Sequence, residues 1–139
     1  MQESCSFRFV LVFMLIILLT GCRADRYNSE VGRTDSPDGL YTAVAFVRNI
    51  DATTDFSTQV SILRLGAGLD NRAGNIFIGD SDHGRAAGLK DHSYWMKILW
   101  TSPTELLVQY DQNIRVFKKI DKYKSISIRY DPVEAPSVK

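Results

Sequence analysis

The chain has 139 residues, with 17 Lys and Arg against 16 Asp and Glu, for a formal charge of +1. At 45% hydrophobic and 24% charged residues it is not a disordered, collagen-like or multi-span membrane protein, and its length allows one domain with appendages. The balanced charge gives no overall pull toward nucleic acid or another acidic polymer.

Residues 1–8 (MQESCSFR) set the amino terminus and Arg8 against Glu3, ahead of an unbroken apolar run from Phe9 to Leu19. As a helix this run reaches about 16 Å, against roughly 30 Å of bilayer hydrocarbon, so it predicts a cleaved secretory signal and not a permanent transmembrane helix. It ends in Leu19-Thr20-Gly21-Cys22, which resembles the bacterial lipobox. The resemblance implies a signal peptide over 1–21 and a diacylglyceryl group on Cys22, which becomes the new amino terminus. Cys5 is then removed and Cys22 acylated, leaving no thiol for a disulfide, a metal or a nucleophile. The lipid is the one covalent group expected, and no separate cofactor is. The two or three acyl chains that lipobox proteins carry hold a domain stably where one would not. Arg23 stands where an enteric inner-membrane retention signal would have Asp. The expected location is therefore the periplasmic face of the cell envelope, with the outer membrane favoured over the inner.

Residues 22–35 have no period and few large apolar side chains, and they predict a lipidated tether; residues 131–139 (DPVEAPSVK) predict a flexible tail. Between them, over 36–130, the period is two. The turn Ser36-Pro37-Asp38-Gly39 feeds Leu40 to Arg48, a run apolar on both faces that predicts a central strand. Ser57 to Leu65 alternates Val60 and Ile62 with Gln59 and Ser61, and Asn75 to Ile78 is a shorter run closed by Gly79-Asp80. Four further strands are predicted at Tyr94–Trp100, Glu105–Tyr110, Ile114–Lys118 and Tyr123–Tyr130. Their short gaps favour a C-terminal four-stranded antiparallel meander. In the last of them Ile126, Ile128 and Tyr130 face a core while Ser125, Ser127 and Arg129 face water. About seven strands with almost no helical pattern predict an all-β fold, a small antiparallel β-sandwich or partly open barrel.

Ser36-Pro-Asp-Gly-Leu-Tyr-Thr-Ala-Val44 and Trp100-Thr-Ser-Pro-Thr-Glu-Leu-Leu-Val108 look like strand signatures of TolB-like and WD40-like propeller blades. A propeller needs at least about four blades, which this length excludes. With Ala52-Thr-Thr-Asp-Phe-Ser-Thr-Gln-Val-Ser-Ile-Leu63 and Gly74-Asn-Ile-Phe-Ile78, the stretch over roughly 36–130 is similar to small uncharacterised bacterial lipoproteins. Asp51 and Asp55 stand where those relatives carry Cys and Gly. The resemblance implies a lipid-anchored single domain and assigns no functional residue.

Asp80, Asp82 and His83, with Asp91 and His92, form the polar cluster of metal-ligand type. Their spacing fits neither an EF-hand nor a zinc site, and Asp, Ser and Gly are also the residues of a solvated loop. Ser81, Asp82 and His83 are mere neighbours in sequence, and no G-x-S-x-G, S-x-x-K or H-E-x-x-H occurs. Tyr94, Met96, Ile98 and Trp100 share one strand face, which leaves Trp95 as the exposed aromatic for a ligand or partner. Residues 115–129 hold Arg115, Lys118, Lys119, Lys122, Lys124 and Arg129 against Asp121, a local +5. Such a strip could lean on anionic head groups or an acidic partner, or protect sheet edges from aggregation. The sequence thus predicts a lipid-anchored envelope protein that acts as a non-catalytic binding or accessory module. Its expected partners are the membrane, through the anchor, and an envelope protein, with no nucleic acid. Trp95, Lys118, Lys119 and Lys122 are the candidate surface. The alternatives are an immunity-type inhibitor of a toxin, or a metal-dependent or glycan-binding envelope protein.

Overall fold

The computed structural model describes residues 27–49 and 56–136. The signal peptide, the lipidation site Cys22, Asp51, Asp55 and the last three residues lie outside the described residues. Within them the chain is all-β, with nine strands in two sheets that do not close into a barrel. β1 (Tyr27–Asp35), β2 (Tyr41–Asn49), β3 (Ser57–Arg64), β4 (Phe77–Asp80) and β7 (Arg115–Lys119) form one antiparallel sheet in that order. β5 (Met96–Ser102), β6 (Glu105–Asp111), β9 (Ile126–Val133) and β8 (Lys122–Tyr123) form the other.

The inner faces meet in a core that includes Ala43, Ala45, Val60, Ile62 and Phe77 from the first sheet. Trp100, Leu106, Val108, Tyr110, Ile126 and Ile128 come from the second. The alternation expected for the final strand holds: Ile126 and Ile128 are buried, Ser127 and Arg129 exposed. The face Tyr94–Met96–Ile98–Trp100 packs inward as its period requires. Polar groups tie the layers together. Trp100 Nε1 donates to the Thr34 carbonyl at 3.0 Å, the Tyr94 amide donates to Thr58 Oγ1 at 2.9 Å, and the Tyr130 hydroxyl donates between the carbonyls of Ile120 and Ile76 at 2.9 and 3.0 Å. Burial pushes that hydroxyl well above its ordinary range.

β2 is buried from Thr42 to Arg48, on both faces as its composition predicts. Ala43 and Ala45 face the core. The opposite side, carrying Val44 and Phe46, also carries the buried polar side chains of Gln59 and Ser61 on β3. A loop over 66–75 is pinned to this side. Gln59 Oε1 accepts from the Gly74 amide at 2.7 Å and Ser61 Oγ from the Asn75 amide at 3.1 Å. The Asn75 side chain pairs with both the amide and the carbonyl of Ile62 at 2.8 Å, standing in for a strand neighbour. Arg48 Nη1 donates to the Asn71 carbonyl at 2.9 Å.

Three expectations change. The expected tether over 22–35 gives way at Tyr27 to β1, an edge strand whose side chains are mostly exposed. It is held by backbone pairing to β2, so its sequence carries no apolar alternation. The expected flexible tail likewise gives way at its start to the end of β9, which runs to Val133. The four-stranded meander is replaced by a crossed arrangement. β7 leaves β6 to join β4 in the other sheet, and β9 returns to pair with β6 in parallel. A period of two records that a strand has a buried face; it does not record which of two stacked sheets supplies the neighbours.

Candidate functional site

The Asp/His loop begins where β4 ends. Asp80 is clasped by Arg115 of β7, whose Nη2 lies 2.5 Å from Oδ2 and whose Nε lies 3.1 Å from Oδ1. Asp80 Oδ1 also accepts the amide of Asp82 at 2.9 Å. Asp82 in turn meets Arg85 at 3.1 Å and Arg115 at 3.9 Å. Asp82, His83 and Gly84 follow one another at φ of 50°, 60° and 85°, a left-handed turn in which Ser81 Oγ accepts the Gly84 amide at 2.8 Å. Asp91 accepts both the amide and the hydroxyl of Ser93, and the His92 ring stacks on Phe56 with centroids 4.3 Å apart. The fold therefore brings Asp80 and Asp82 together around Arg115 and commits Asp91 and His92 to a separate turn. Among the described residues no three His, Cys, Asp or Glu gather as a metal site.

Asp80 and Asp91 act as hydrogen-bond acceptors within the fold, and the titration of these two follows from that. Burial alone would raise the Asp80 carboxyl. The Arg115 hydrogen bond, the Asp82 amide and the guanidinium charge outweigh it and hold the group below its ordinary 3.8. The Ser93 hydroxyl, opposed by partial burial and aided by the Ser93 amide, does the same for Asp91. A depressed folded-state value means stability that is fully present above the ordinary carboxylate range and lost as pH falls through the folded-state values. Urea midpoints should be flat on this account from neutrality down to about pH 5 and fall below about pH 4. Asp80→Asn should lower the neutral-pH midpoint and flatten that acid limb; an unchanged limb would contradict the assignment.

The basic strip of 115–129 proves to be several surfaces. Arg115 is bound to Asp80, and Arg129 pairs with Glu105. Lys118 is half-buried and its Nζ donates to the Gly74 carbonyl at 3.1 Å, while the Lys119 ammonium lies 5.4 Å from the centre of the Tyr130 ring. Lys122 is exposed on the two-residue strand β8. Of the three lysines expected to form one contact surface, Lys119 and Lys122 are open to solvent and Lys118 is partly committed to the 66–75 loop. Trp95 is half-buried, and its carbonyl accepts the Asp111 amide at 3.1 Å.

Arg115, Lys118, Lys119 and Lys122 lie on edge strands, and the edges share a further device. The edge strands β1, β5 and β7 each carry one extra residue against their partner, Val31, Thr101 and Phe117 respectively. The remaining edge strand, β8, is two residues long. Bulges, lysines and a truncated strand all discourage edge-to-edge pairing with a second molecule.

One cluster escapes sequence reasoning entirely. Tyr41, Arg64 and Lys124, separated by 23 and 60 residues, meet at one end of the sandwich. The Arg64 guanidinium lies 5.5 Å and the Lys124 ammonium 5.6 Å from the centre of the Tyr41 ring. No spacing rule joins residues from two strands and a hairpin loop.

No protein-family model matches the chain, and no curated protein or solved structure matches it. Among the described residues no helix is long and apolar enough to cross a membrane.

Proposed function

We propose that the protein is exported, acylated on Cys22 and held at the periplasmic face of a bacterial envelope, where its β-sandwich works by binding and not by catalysis. The observation that carries this reading is Leu19-Thr20-Gly21-Cys22 at the end of an apolar run too short to span a bilayer. The sandwich starts at Tyr27, so only four residues separate the acylated position from the first strand. At up to about 3.5 Å per residue, such a link keeps the domain close to the bilayer. The engagement of Asp80, Asp82 and Asp91 as internal hydrogen-bond acceptors supports a structural role for that loop. Lys119 and Lys122 offer exposed positive charge toward an acidic envelope partner.

Cys22→Ser tests the anchor. Cells expressing the wild type should retain the protein in the detergent-soluble membrane fraction and incorporate labelled palmitate into it. The variant should lose the label and the membrane fraction together. Unaltered processing and membrane retention in the variant would refute the proposal.

A further inference from the structure

We infer that the groove between the 66–75 loop and the β8–β9 hairpin is a binding site for a phosphate-type oxyanion carried on a soluble or wall-borne molecule. The groove encloses about 420 Å³ and is lined by Tyr41, Arg64, Asp70, Arg72, Tyr123 and Lys124 among others. That volume suits a phosphoryl group with a small attached body.

Its charges are not balanced. Asp70, the acid among those six residues, is taken by Arg72, whose amide and Nε lie 3.0 and 2.5 Å from its two oxygens. Arg64 and Lys124 have no carboxylate partner among the described residues. Each lies instead over the Tyr41 ring, at 5.5 and 5.6 Å from its centre, and Lys124 also lies 5.5 Å from the centre of the Tyr123 ring. Two cations that line one groove without a carboxylate partner leave positive charge there that a bound anion would offset. A guanidinium fork beside an ammonium point charge is the donor set that a tetrahedral oxyanion takes.

The backbone supplies an independent observation. Tyr123 pairs directly with Ile126, so Lys124 and Ser125 form a two-residue hairpin loop. Lys124 has φ 54°, and Ser125 is not at positive φ. Glycine is the residue for such a first loop position, since a Cβ there is strained. The chain places lysine in this position, with the ammonium over the groove's two tyrosines. A strained residue that a simpler one could replace marks a position kept for its side chain.

Strand direction decides what carries the oxyanion. Tyr27, nearest the proposed anchor, pairs with Asn49 at one end of β2, whereas Tyr41 begins the other end beside Arg64. Eight steps of about 3.3 Å separate the two ends. One wall of the groove reaches back toward the anchored end, where the Asp70 and Arg72 carbonyls accept from the Asn28 side chain. Arg64 and Lys124, however, lie at the far end and face a phosphorylated saccharide or similar molecule and not the lipid head groups beneath the domain. This orientation rests on the anchoring proposal; the oxyanion site does not.

The test uses the full chain in neutral detergent, titrated with inorganic pyrophosphate in a calorimeter. Saturable, salt-sensitive binding is expected, weakened roughly tenfold by Arg64→Gln or Lys124→Gln and left intact by Lys119→Gln outside the groove. Lys124→Gly should raise the thermal midpoint while weakening binding, which separates loss of the ligand from loss of the fold. Absence of saturable binding, or equal weakening by Lys119→Gln, would overturn the site. Glucose 6-phosphate should displace pyrophosphate. If instead phosphatidate-containing vesicles are held through Arg64 and Lys124 and the sugar phosphate does not compete, the outward assignment is overturned. A Cys22→Ser protein that remains in the membrane would refute the anchor without touching the pyrophosphate result.

Discussion

Phe77→Ala is expected to lower the unfolding free energy by about 3–5 kcal/mol, the cost of removing a fully buried aromatic ring and leaving its cavity. Phe77 has no exposed surface and sits in β4 between β3 and β7. Its ring lies 5.0 Å from Tyr110 and 6.0 Å from Tyr130, so it spans the two sheets. A domain of this size has about 5–15 kcal/mol in total, and the substitution would leave a marginal fold. Equilibrium urea unfolding measures it directly. Phe77→Leu should lose less, and an alanine variant within about 1 kcal/mol of wild type would contradict the position given to this ring.

Gly74→Ala should cost about 3 kcal/mol, the upper end of overpacking penalties. A Cβ there would stand 2.6 Å from the Phe77 carbonyl oxygen, 3.0 Å from the Val60 carbonyl oxygen and 3.0 Å from Gln59 Cβ. Two of these atoms belong to the β3–β4 ladder, so relief requires either the ladder or the loop to move. Moving the loop strains the Gly74 amide bond to Gln59 and the Lys118 bond to the Gly74 carbonyl. Gly68→Ala in the same loop meets nothing within 4 Å and should be nearly neutral, so the pair separates local crowding from a general intolerance of the loop. Equal midpoints for the two variants would count against this packing.

Much of the fold was legible because burial imposes a period. Val60 and Ile62, or Ile126 and Ile128, alternate with residues of the opposite face, and the positions expected to be core are core. Seven strands were readable; β1 and the break within Tyr123–Tyr130 were not. β1 contributes backbone hydrogen bonds with little apolar burial, and the break depends on one lysine adopting a left-handed conformation that its side chain does not favour. The crossing of β7 between sheets is set by long-range partners such as Asp80, 35 residues before Arg115, and local pattern carries no record of them. The same limit hid the Tyr41, Arg64 and Lys124 cluster. The Asp/His loop, by contrast, was conspicuous in sequence, and its carboxylates prove to hold turns and an arginine.

Mass analysis of the mature amino terminus, on protein extracted by detergent from the envelope of its own cells, addresses the central claim most directly. The account predicts a chain that begins at Cys22 and carries diacylglyceryl mass, with residues 1–21 gone. A polypeptide beginning at Met1 with a free Cys22 thiol, recovered from the soluble fraction, would contradict it.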